Sequence, residues 1–360
     1  MRKFLFTLFS TLPLFSAPSF AQQDVPDGYP TEYSKIIDAA KTEKGLVIYS
    51  NVSTNNWAPF LELAKKRYPF LSIETTDEQN VWEKYFAESA AGARTADMIL
   101  TFAPERWPDF VQRGQALDYK SPEIPHLPSW SMVLPGVYTA AADPFLIAYN
   151  KRAFKDKTPP MSMADAVAAL KADPKLKGRI TAYDPEVSLG FAFWSSWVKR
   201  NANGWSLIEA LGPAMRPERS AATQREKIAT GEQALAIFTS GAGIKVFESP
   251  AVKPLVGWGY PKDGTPVLFR SVAITKAAAS PNSAKLFLDL LLSRDGQMAF
   301  AVGGQTPYRA DIKPGEAPYT SYSAIVKAIG EENVIFVKPD ASLLSGSDEF
   351  MARWNKALGR

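Results

Sequence analysis

Four short polar segments, each placed directly after an apolar run, contain the residues of this chain that are best suited to hold a solute. They lie at residues 50–55, 101–103, 188–190 and 239–243. Their hydroxyl groups and amides form hydrogen bonds readily, and their glycines allow close approach of a backbone. Backbone N–H groups favour an anion where such a segment begins a helix. The same residues also serve as ordinary helix caps and turns, so both interpretations stay open.

Three arginines and two tyrosines are candidates to complete such a site. Arg225, Arg270 and Arg309 each offer a bidentate fork to an anion, although surface or interdomain ion pairs would use them equally well. Tyr260 and Tyr308 could close over a ligand or lie at the edge of a core. The full set of candidate ligand-binding residues is Ser50, Asn51, Ser53, Thr54, Thr101, Ser188, Gly190, Thr239, Ser240, Tyr260, Arg270, Tyr308 and Arg309.

The usual catalytic combinations are missing from the sequence. His126 is the only histidine and lies in a proline-rich stretch, there is no cysteine, and no Gly-x-Ser-x-Gly occurs. A serine hydrolase needs a base beside its nucleophile, and a zinc hydrolase of the His-Glu-x-x-His type needs two histidines. Phosphate-binding glycine motifs are also absent. We therefore expect no enzymatic activity, no metal and no cofactor.

The elements that must position these segments alternate between helices and short apolar strands, which is typical of an α/β fold with mostly parallel strands. A first unit has predicted strands at 46–49, 71–75 and 97–100 and helices at 34–44, 56–67 and 81–91. A second has strands at 145–149, 179–183, 234–238 and 255–258 and helices at 163–172, 190–200 and 225–230. Ligands in such sheets bind beyond the carboxyl ends of strands, where the four polar segments fall. The strand predicted at 271–275 precedes a helix that begins at Pro281, and the tail from 319 is mostly helical.

The amino terminus has the three parts of a cleavable signal peptide. Arg2 and Lys3 precede an apolar run over 4–15, and Ser19-Phe20-Ala21 supplies small residues for cleavage after Ala21. The run is too short to span a bilayer, which takes about 20 apolar residues. We expect a periplasmic, monomeric protein without stable membrane insertion.

Composition limits the partners and the means of stabilisation. Without Arg2 and Lys3, 39 basic residues face 37 acidic ones, which argues against a nucleic-acid interface. The lack of cysteine excludes disulfides, so a large apolar core must stabilise the chain.

Several segments resemble the family 1 extracellular solute-binding proteins of ABC importers. SVAITK at 271–276, PNSAKLF at 281–287 and LLSRDGQ at 291–297 are similar to the carboxyl-terminal signature of that family, and GGQTPYR at 303–309 fits the segment that follows. Similar pieces occur upstream at 46–50, 95–99, 147–151 and 183–185. The closest resemblance is to the branch that contains ferric-ion and phosphonate binders.

The resemblance implies a type II periplasmic binding fold: two lobes, each a mixed sheet flanked by helices, with a two-strand hinge near 142–149 and 270–275. The implied organisation is a signal peptide at 1–21, lobe one at 22–142 plus 271–310, lobe two at 143–270, and carboxyl-terminal helices at 311–360 that pack on the lobes.

The implied function is capture of a small solute by lobe closure and delivery to an inner-membrane ABC permease. Matching positions in the family carry ligand contacts in the first and the last two polar segments. The ferric branch has paired tyrosines where this chain has Ser240-Gly241, and often a histidine where it has Ser53. This departure favours an oxyanion, namely a phosphonate, phosphate ester or carboxylate. The alternatives are a ferric-ion or polyamine binder and a ligand-sensing regulator of a sensor kinase.

Overall fold

The computed structural model describes residues 25–77 and 80–360. The predicted signal peptide and its cleavage site therefore lie outside the described residues. The strands are β1 Leu46–Ser50, β2 Ile73–Asp77, β3 Met98–Thr101, β4 Met132–Leu134, β5 Val137–Asn150, β6 Ile180–Tyr183, β7 Met215–Glu218, β8 Leu235–Ser240, β9 Val256–Gly259, β10 Thr265–Ile274 and β11 Val334–Val337. The α-helices are α1 Tyr33–Ala40, α2 Thr54–Arg67, α3 Val81–Ala90, α4 Trp107–Gln112, α5 Met163–Ala172, α6 Ser188–Arg200, α7 Gly204–Leu211, α8 Ala221–Thr230, α9 Ile244–Phe247, α10 Pro281–Leu292, α11 Arg294–Val302, α12 Tyr322–Ile329 and α13 Ser347–Leu358. Within the described ranges, no helix is both long and apolar enough to cross a bilayer.

The first sheet has the strand order β2-β1-β3-β10-β5. β1 runs parallel to β2 and β3, whereas β10 runs antiparallel to β3 and β5. Helices cover both faces, so its central strands are continuous apolar runs. On one face Trp57 of α2 packs between Phe287 of α10 and Phe300 of α11, with ring centroids 5.8 and 5.0 Å away. We call this sheet with its helices lobe one.

The second sheet has the order β5-β8-β6-β7, and β9 pairs with the other edge of β5. β6 runs parallel to β7 and β8, and β5 runs antiparallel to β8. Its core contains fully buried aromatic side chains, among them Phe193, Trp194 and Trp197 of α6 and Phe238 of β8. We call this sheet with its helices lobe two.

β5 belongs to both sheets and, with β10, joins the lobes. Residues 137–144 of β5 pair with β10, and residues 145–150 pair with β8 and β9. Every residue of β10 is buried. The two-strand hinge implied by the sequence is thus observed, although its strands start earlier, at Val137 and Thr265. The expected fold class, two mixed sheets flanked by helices, is confirmed.

The carboxyl-terminal segment contacts both lobes. α12 buries Ile325 against lobe one, and β11 then adds to the first half of β10. The backbone N–H of Asp340 donates to the Pro104 carbonyl of lobe one, 3.0 Å away. α13 finally inserts Trp354 into the lobe two core, 5.0 Å from Trp194 between ring centroids. The short strand β11 was not recognised in a tail predicted to be mostly helical.

Candidate functional site at the lobe junction

The lobe junction is the region around Asp143 and Arg270, where β5 and β10 pass between the sheets. A Cβ atom on Gly241 would lie 2.6 Å from the Pro144 carbonyl oxygen, so the loop after β8 packs directly on β5. From lobe one, Gly304 approaches the same loop, where its Cβ would lie 3.6 Å from the Ala242 carbonyl oxygen. The loop after β8 thus lies at this junction, and the residues that follow β1 and β3 reach it through Asn51 and Phe102, which both contact Arg270.

Arg270 lies at the centre of the junction and is 4% exposed. Its Nη1 donates to Asn51 Oδ1 at 3.0 Å, its Nε is 3.6 Å from Asp143 Oδ2, and its guanidinium stacks 3.6 Å from the Phe102 ring centroid. Burial lowers the pKa of Arg270 to about 10, and the nearby Asp143 charge opposes that shift. Burial also raises the pKa of Asp143. Arg270 is thus neutralised by the protein itself and organises the junction.

Three threonine hydroxyls are buried at the strand ends without a hydrogen-bond partner among the described residues. They belong to Thr101 of β3, Thr139 of β5 and Thr239 of β8. Thr101 and Thr139 flank Ser271 of β10 in the strand register, so two of the hydroxyls share one face of the sheet. Thr239 pairs with Leu146, seven residues further along β5 than Thr139, so its hydroxyl lies apart from the other two. Buried polar groups in folded proteins nearly always find a partner, so each of these positions indicates where water or a solute completes the bonding.

A strained residue directs the end of β8 toward the junction. Phe238 has a φ of 55°, in the left-handed region that a bulky side chain rarely adopts. It is the extra residue of a bulge, because Leu146 pairs with Thr239 while Ile147 pairs with Ile237. Bulges re-aim the residues that follow, and strain of this kind clusters at functional sites. Thr239 and Ser240 follow directly.

The start of α6 offers backbone N–H groups that no side chain caps. The N-cap residue Val187 has no side-chain acceptor, so the first N–H groups, from Ser188 onward, lack a side-chain cap. A Cβ on Gly190 would lie 2.2 Å from the Asp184 carbonyl oxygen, so only glycine fits there. These N–H groups and the helix dipole favour an anion.

Glu105 of lobe one reaches the start of α6 and was not among the predicted site residues. It is 7% exposed, and burial raises its pKa, while Arg106 and the Ser188 side chain counteract that rise. Its Oε2 has no hydrogen-bond partner in the described part of the chain. The Glu105–Ser188 contact joins the two lobes across the junction.

The three candidate arginines differ in how they are paired. Arg270 is paired with Asp143, and Arg309 with Glu123 and Asp311. Arg225 is half-buried on α8, and burial alone lowers its pKa. It has no carboxylate partner among the described residues. Its Cδ and Nη1 lie 2.7 and 3.3 Å from where a Cβ on Gly243 would be, which places Arg225 against the loop after β8.

The first polar segment contributes less than its composition predicts. The Ser50 hydroxyl is fully buried and committed to the protein, since it accepts from Trp57 Nε1 at 3.0 Å and donates to the Thr76 carbonyl at 3.1 Å. Ser53 precedes α2 and is half-buried, and its hydroxyl makes no capping hydrogen bond. Thr54 is exposed. Because the Asn51 Oδ1 accepts from Arg270, the Asn51 amide nitrogen and the Ser53 hydroxyl are the groups of this segment that remain for a ligand.

Three other predicted residues are engaged elsewhere. Tyr308 is 2% exposed, and its hydroxyl donates to the Thr139 carbonyl. The Arg309 guanidinium is held within lobe one by Glu123. The Tyr260 hydroxyl hydrogen-bonds to Thr320, in the segment before α12. The structure does not bring Arg309 or Tyr308 to the face of the junction where Arg225 lies, because both are bonded inside lobe one.

Comparison with known proteins identifies the class of molecule. Residues 65–327 match the family model described as bacterial extracellular solute-binding protein. No protein of curated function matches the sequence. A substrate-binding protein of an ABC transporter from Agrobacterium tumefaciens has a similar structure, with a TM-score of 0.74 and 25% identity over 88% of this chain and 95% of the other.

More distant structures share the fold. Iron-bound HitA from Pseudomonas aeruginosa has a TM-score of 0.63 and 15% identity over 87% of this chain and 99% of the other. AfuA from Actinobacillus pleuropneumoniae, with bound fructose-6-phosphate, has a TM-score of 0.61 and 20% identity over 88% and 98%. The chain belongs to the bacterial extracellular solute-binding proteins, the substrate-binding components of ABC transporters.

Proposed function

We propose that this protein captures a small anionic solute at the lobe junction, in the periplasm, and delivers it to an inner-membrane ABC permease. The solute carries a phosphonate, phosphate ester or carboxylate group. The observation that carries the proposal is Arg225, a half-buried guanidinium at the loop after β8 with no carboxylate partner in the described residues. A buried charge without a counterion is costly, and an anionic ligand would supply that counterion.

Neutral hydrogen-bond donors of lobe two support the same chemistry. The start of α6 presents backbone N–H groups, and Thr239 and Ser240 present hydroxyls; all are donors suited to an oxyanion. AfuA, which shares the fold, binds a sugar phosphate. HitA binds iron. The ferric-ion branch that this sequence resembles has paired tyrosines where this chain has Ser240 and Gly241, and no cluster of three or more acids or histidines suited to a metal occurs among the described residues.

The proposed mechanism is lobe closure about β5 and β10. Arg225 belongs to lobe two, whereas Asn51 and Ser53 belong to lobe one. A ligand that contacts both sets binds the closed form more tightly, and that difference in affinity sets how far it shifts the balance. The Glu105–Ser188 contact would form part of the closed interface.

A ligand screen followed by one substitution tests the proposal. Thermal-shift measurements compare phosphonates, phosphate esters, carboxylates, polyamines and ferric iron, and calorimetry then measures the affinity of the best ligand. Arg225→Met should lower the affinity for an anion at least tenfold, since a hydrogen bond to a charged group contributes about 1.5–3 kcal/mol. The variant should stay folded, because Met removes a buried charge that has no partner.

Arg353→Met is the matched control, since Arg353 is exposed on α13 and paired with Glu209. It should leave the affinity unchanged. Tight binding of ferric iron or a polyamine, with no anion bound, would refute the proposal.

A further inference from the structure

A concave site lies at the carboxyl end of β5, whereas the lobe junction lies at the middle of that strand. Its volume is about 610 Å³, and its walls come from the end of β5, the end of α8 and the loop before β9. Asn150 in its wall is seven residues beyond Asp143 on the same strand, which corresponds to about 23 Å. Arg225 lies one turn before Ala229 on α8 but does not line this pocket, whose lining contains none of the residues proposed to hold the solute.

The lining of this pocket contains four cations and no carboxylate. The cations are Lys151, Arg152, Lys155 and Arg179. This is a local excess in a chain whose formal net charge is only +4. The side chains of Arg152 and Lys155 have no hydrogen-bond or ionic partner among the described residues.

Two acidic side chains close to the pocket in sequence or space, Glu232 and Glu248, are held by other cations. Glu232 pairs with Lys227 at 3.0 Å, and Glu248 pairs with Lys253 at 2.8 Å. The Lys151 charge contributes only a minor part of the lowered pKa of Glu248. Arg152 and Lys155 are thus the cations of the pocket that have no ion pair within the described part of the chain.

The pocket wall is held in place by a fixed network. Asn150 is 7% exposed; its Oδ1 accepts from the backbone N–H groups of Arg152 and Ala153 at 3.1 and 3.2 Å, and its Nδ2 donates to the Ile228 carbonyl at 2.9 Å. Arg179 donates to the Gly231 carbonyl at 2.8 Å. The Arg179 charge offsets part of the negative end of the α8 dipole, which by itself would disfavour an anion.

We propose that this pocket binds a phosphate-bearing anion, with Arg152 and Lys155 as its principal contacts and Arg179 and Lys151 supplying the surrounding field. Arginine forms bidentate bonds with phosphate, and lysine adds a mobile point charge. Several cations around one concavity suit a polyvalent phosphate better than a single carboxylate. Such an anion could be a free phosphate compound or a lipid headgroup.

Calorimetry with inorganic pyrophosphate at 0.15 M salt tests the site in the whole protein. The double variant Arg152→Gln with Lys155→Gln should lose at least tenfold in pyrophosphate affinity. The matched control, Lys171→Gln with Lys175→Gln, removes the same charge from exposed lysines of the same lobe and should change affinity less than twofold. The double variant should show the same tenfold loss when it is made in an Arg225→Met background, where the proposed solute site is already weakened, so the measured binding is that of the pocket.

Sedimentation with vesicles distinguishes the two sources of phosphate. Binding to phosphatidylglycerol vesicles that is lost in the Arg152 and Lys155 double variant would indicate a lipid headgroup, whereas pyrophosphate binding without vesicle binding would indicate a free phosphate compound. Equal losses in the double variant and its lysine control, or no binding of either probe, would overturn the proposal.

Discussion

The Arg270–Asp143 pair offers the sharpest test of how the lobe junction is held together. The two side chains are 5% and 1% exposed, and Nε lies 3.6 Å from Oδ2. At an effective dielectric constant of about 20, this separation corresponds to an attraction of about 5 kcal/mol before desolvation. Removing one partner of a buried pair costs about 3–5 kcal/mol, because the other charge stays buried alone. Arg270→Met should therefore lower the free energy of unfolding by about 3–5 kcal/mol at pH 7.5.

The loss of unfolding free energy in Arg270→Met should also depend on pH. Burial already raises the pKa of Asp143, and removing the arginine raises it further. A carboxyl whose pKa is higher in the folded state favours folding while it is protonated and opposes it as pH rises through the folded pKa. The deficit relative to wild type should thus be smaller at pH 4.5 than at pH 7.5, as measured by guanidinium titration at both values.

Two further variants complete this test. Adding Asp143→Asn to Arg270→Met removes the buried charge but keeps an acceptor for the Thr306 N–H, so much of the loss should be recovered. Arg353→Met breaks an exposed pair and should cost under about 1 kcal/mol. An Arg270→Met deficit that is equal at both pH values, together with no recovery in the double variant, would refute the reasoning.

Three other substitutions test separate parts of the structure. Trp354→Ala should destabilise lobe two by about 3–5 kcal/mol in denaturant unfolding, because a fully buried indole leaves a large cavity; a loss below about 1 kcal/mol would contradict this packing. Gly190→Ala forces a Cβ against the Asp184 carbonyl, so the free energy of unfolding should fall by about 1–3 kcal/mol, and the solute affinity measured by calorimetry should fall as well. Unchanged affinity would show that the start of α6 is not part of the site. Burial raises the pKa of Asp289 to about 6, so ionisation destabilises the wild type by about 3 kcal/mol between pH 4 and 7. Asp289→Asn should therefore gain stability over wild type as pH rises across that range, and a constant difference would show that Asp289 titrates normally.

The fold was predictable because its signals are local or repeated. Apolar runs at β1, β3 and β8 and the alternation with amphipathic helices indicate parallel sheets with covered faces. The family resemblance then implied two strands that cross between the sheets, and the structure has β5 and β10 there. The predicted ends of the strands were less accurate. β8 extends to Ser240 rather than Phe238, because a bulge lets pairing continue past the apolar run.

The site was less predictable because pairing depends on residues far apart in sequence. Arg309 looks like a free cation in the sequence, but its partner Glu123 lies 186 positions away. Ser50 looks available, yet its hydroxyl is taken by Trp57 and Thr76. Asp143 could have been found, since it is the one charge within the apolar strand β5 and a buried charge requires a partner.

The insertion of Trp354 into lobe two has a consequence for the order in which the chain can fold. Lobe one needs residues up to about 300 for its Trp57–Phe300 contact, and lobe two needs the last turns of α13, where Gly212 packs against the Ala357 backbone. During synthesis from the amino terminus, neither lobe can therefore be completed early, although most of lobe two comes from one continuous stretch of sequence. Until α13 docks, the apolar surface around Trp194 stays open, and such surfaces promote aggregation. Docking of α13 thus completes the core of lobe two. A chain without α13 should need chaperones to stay soluble.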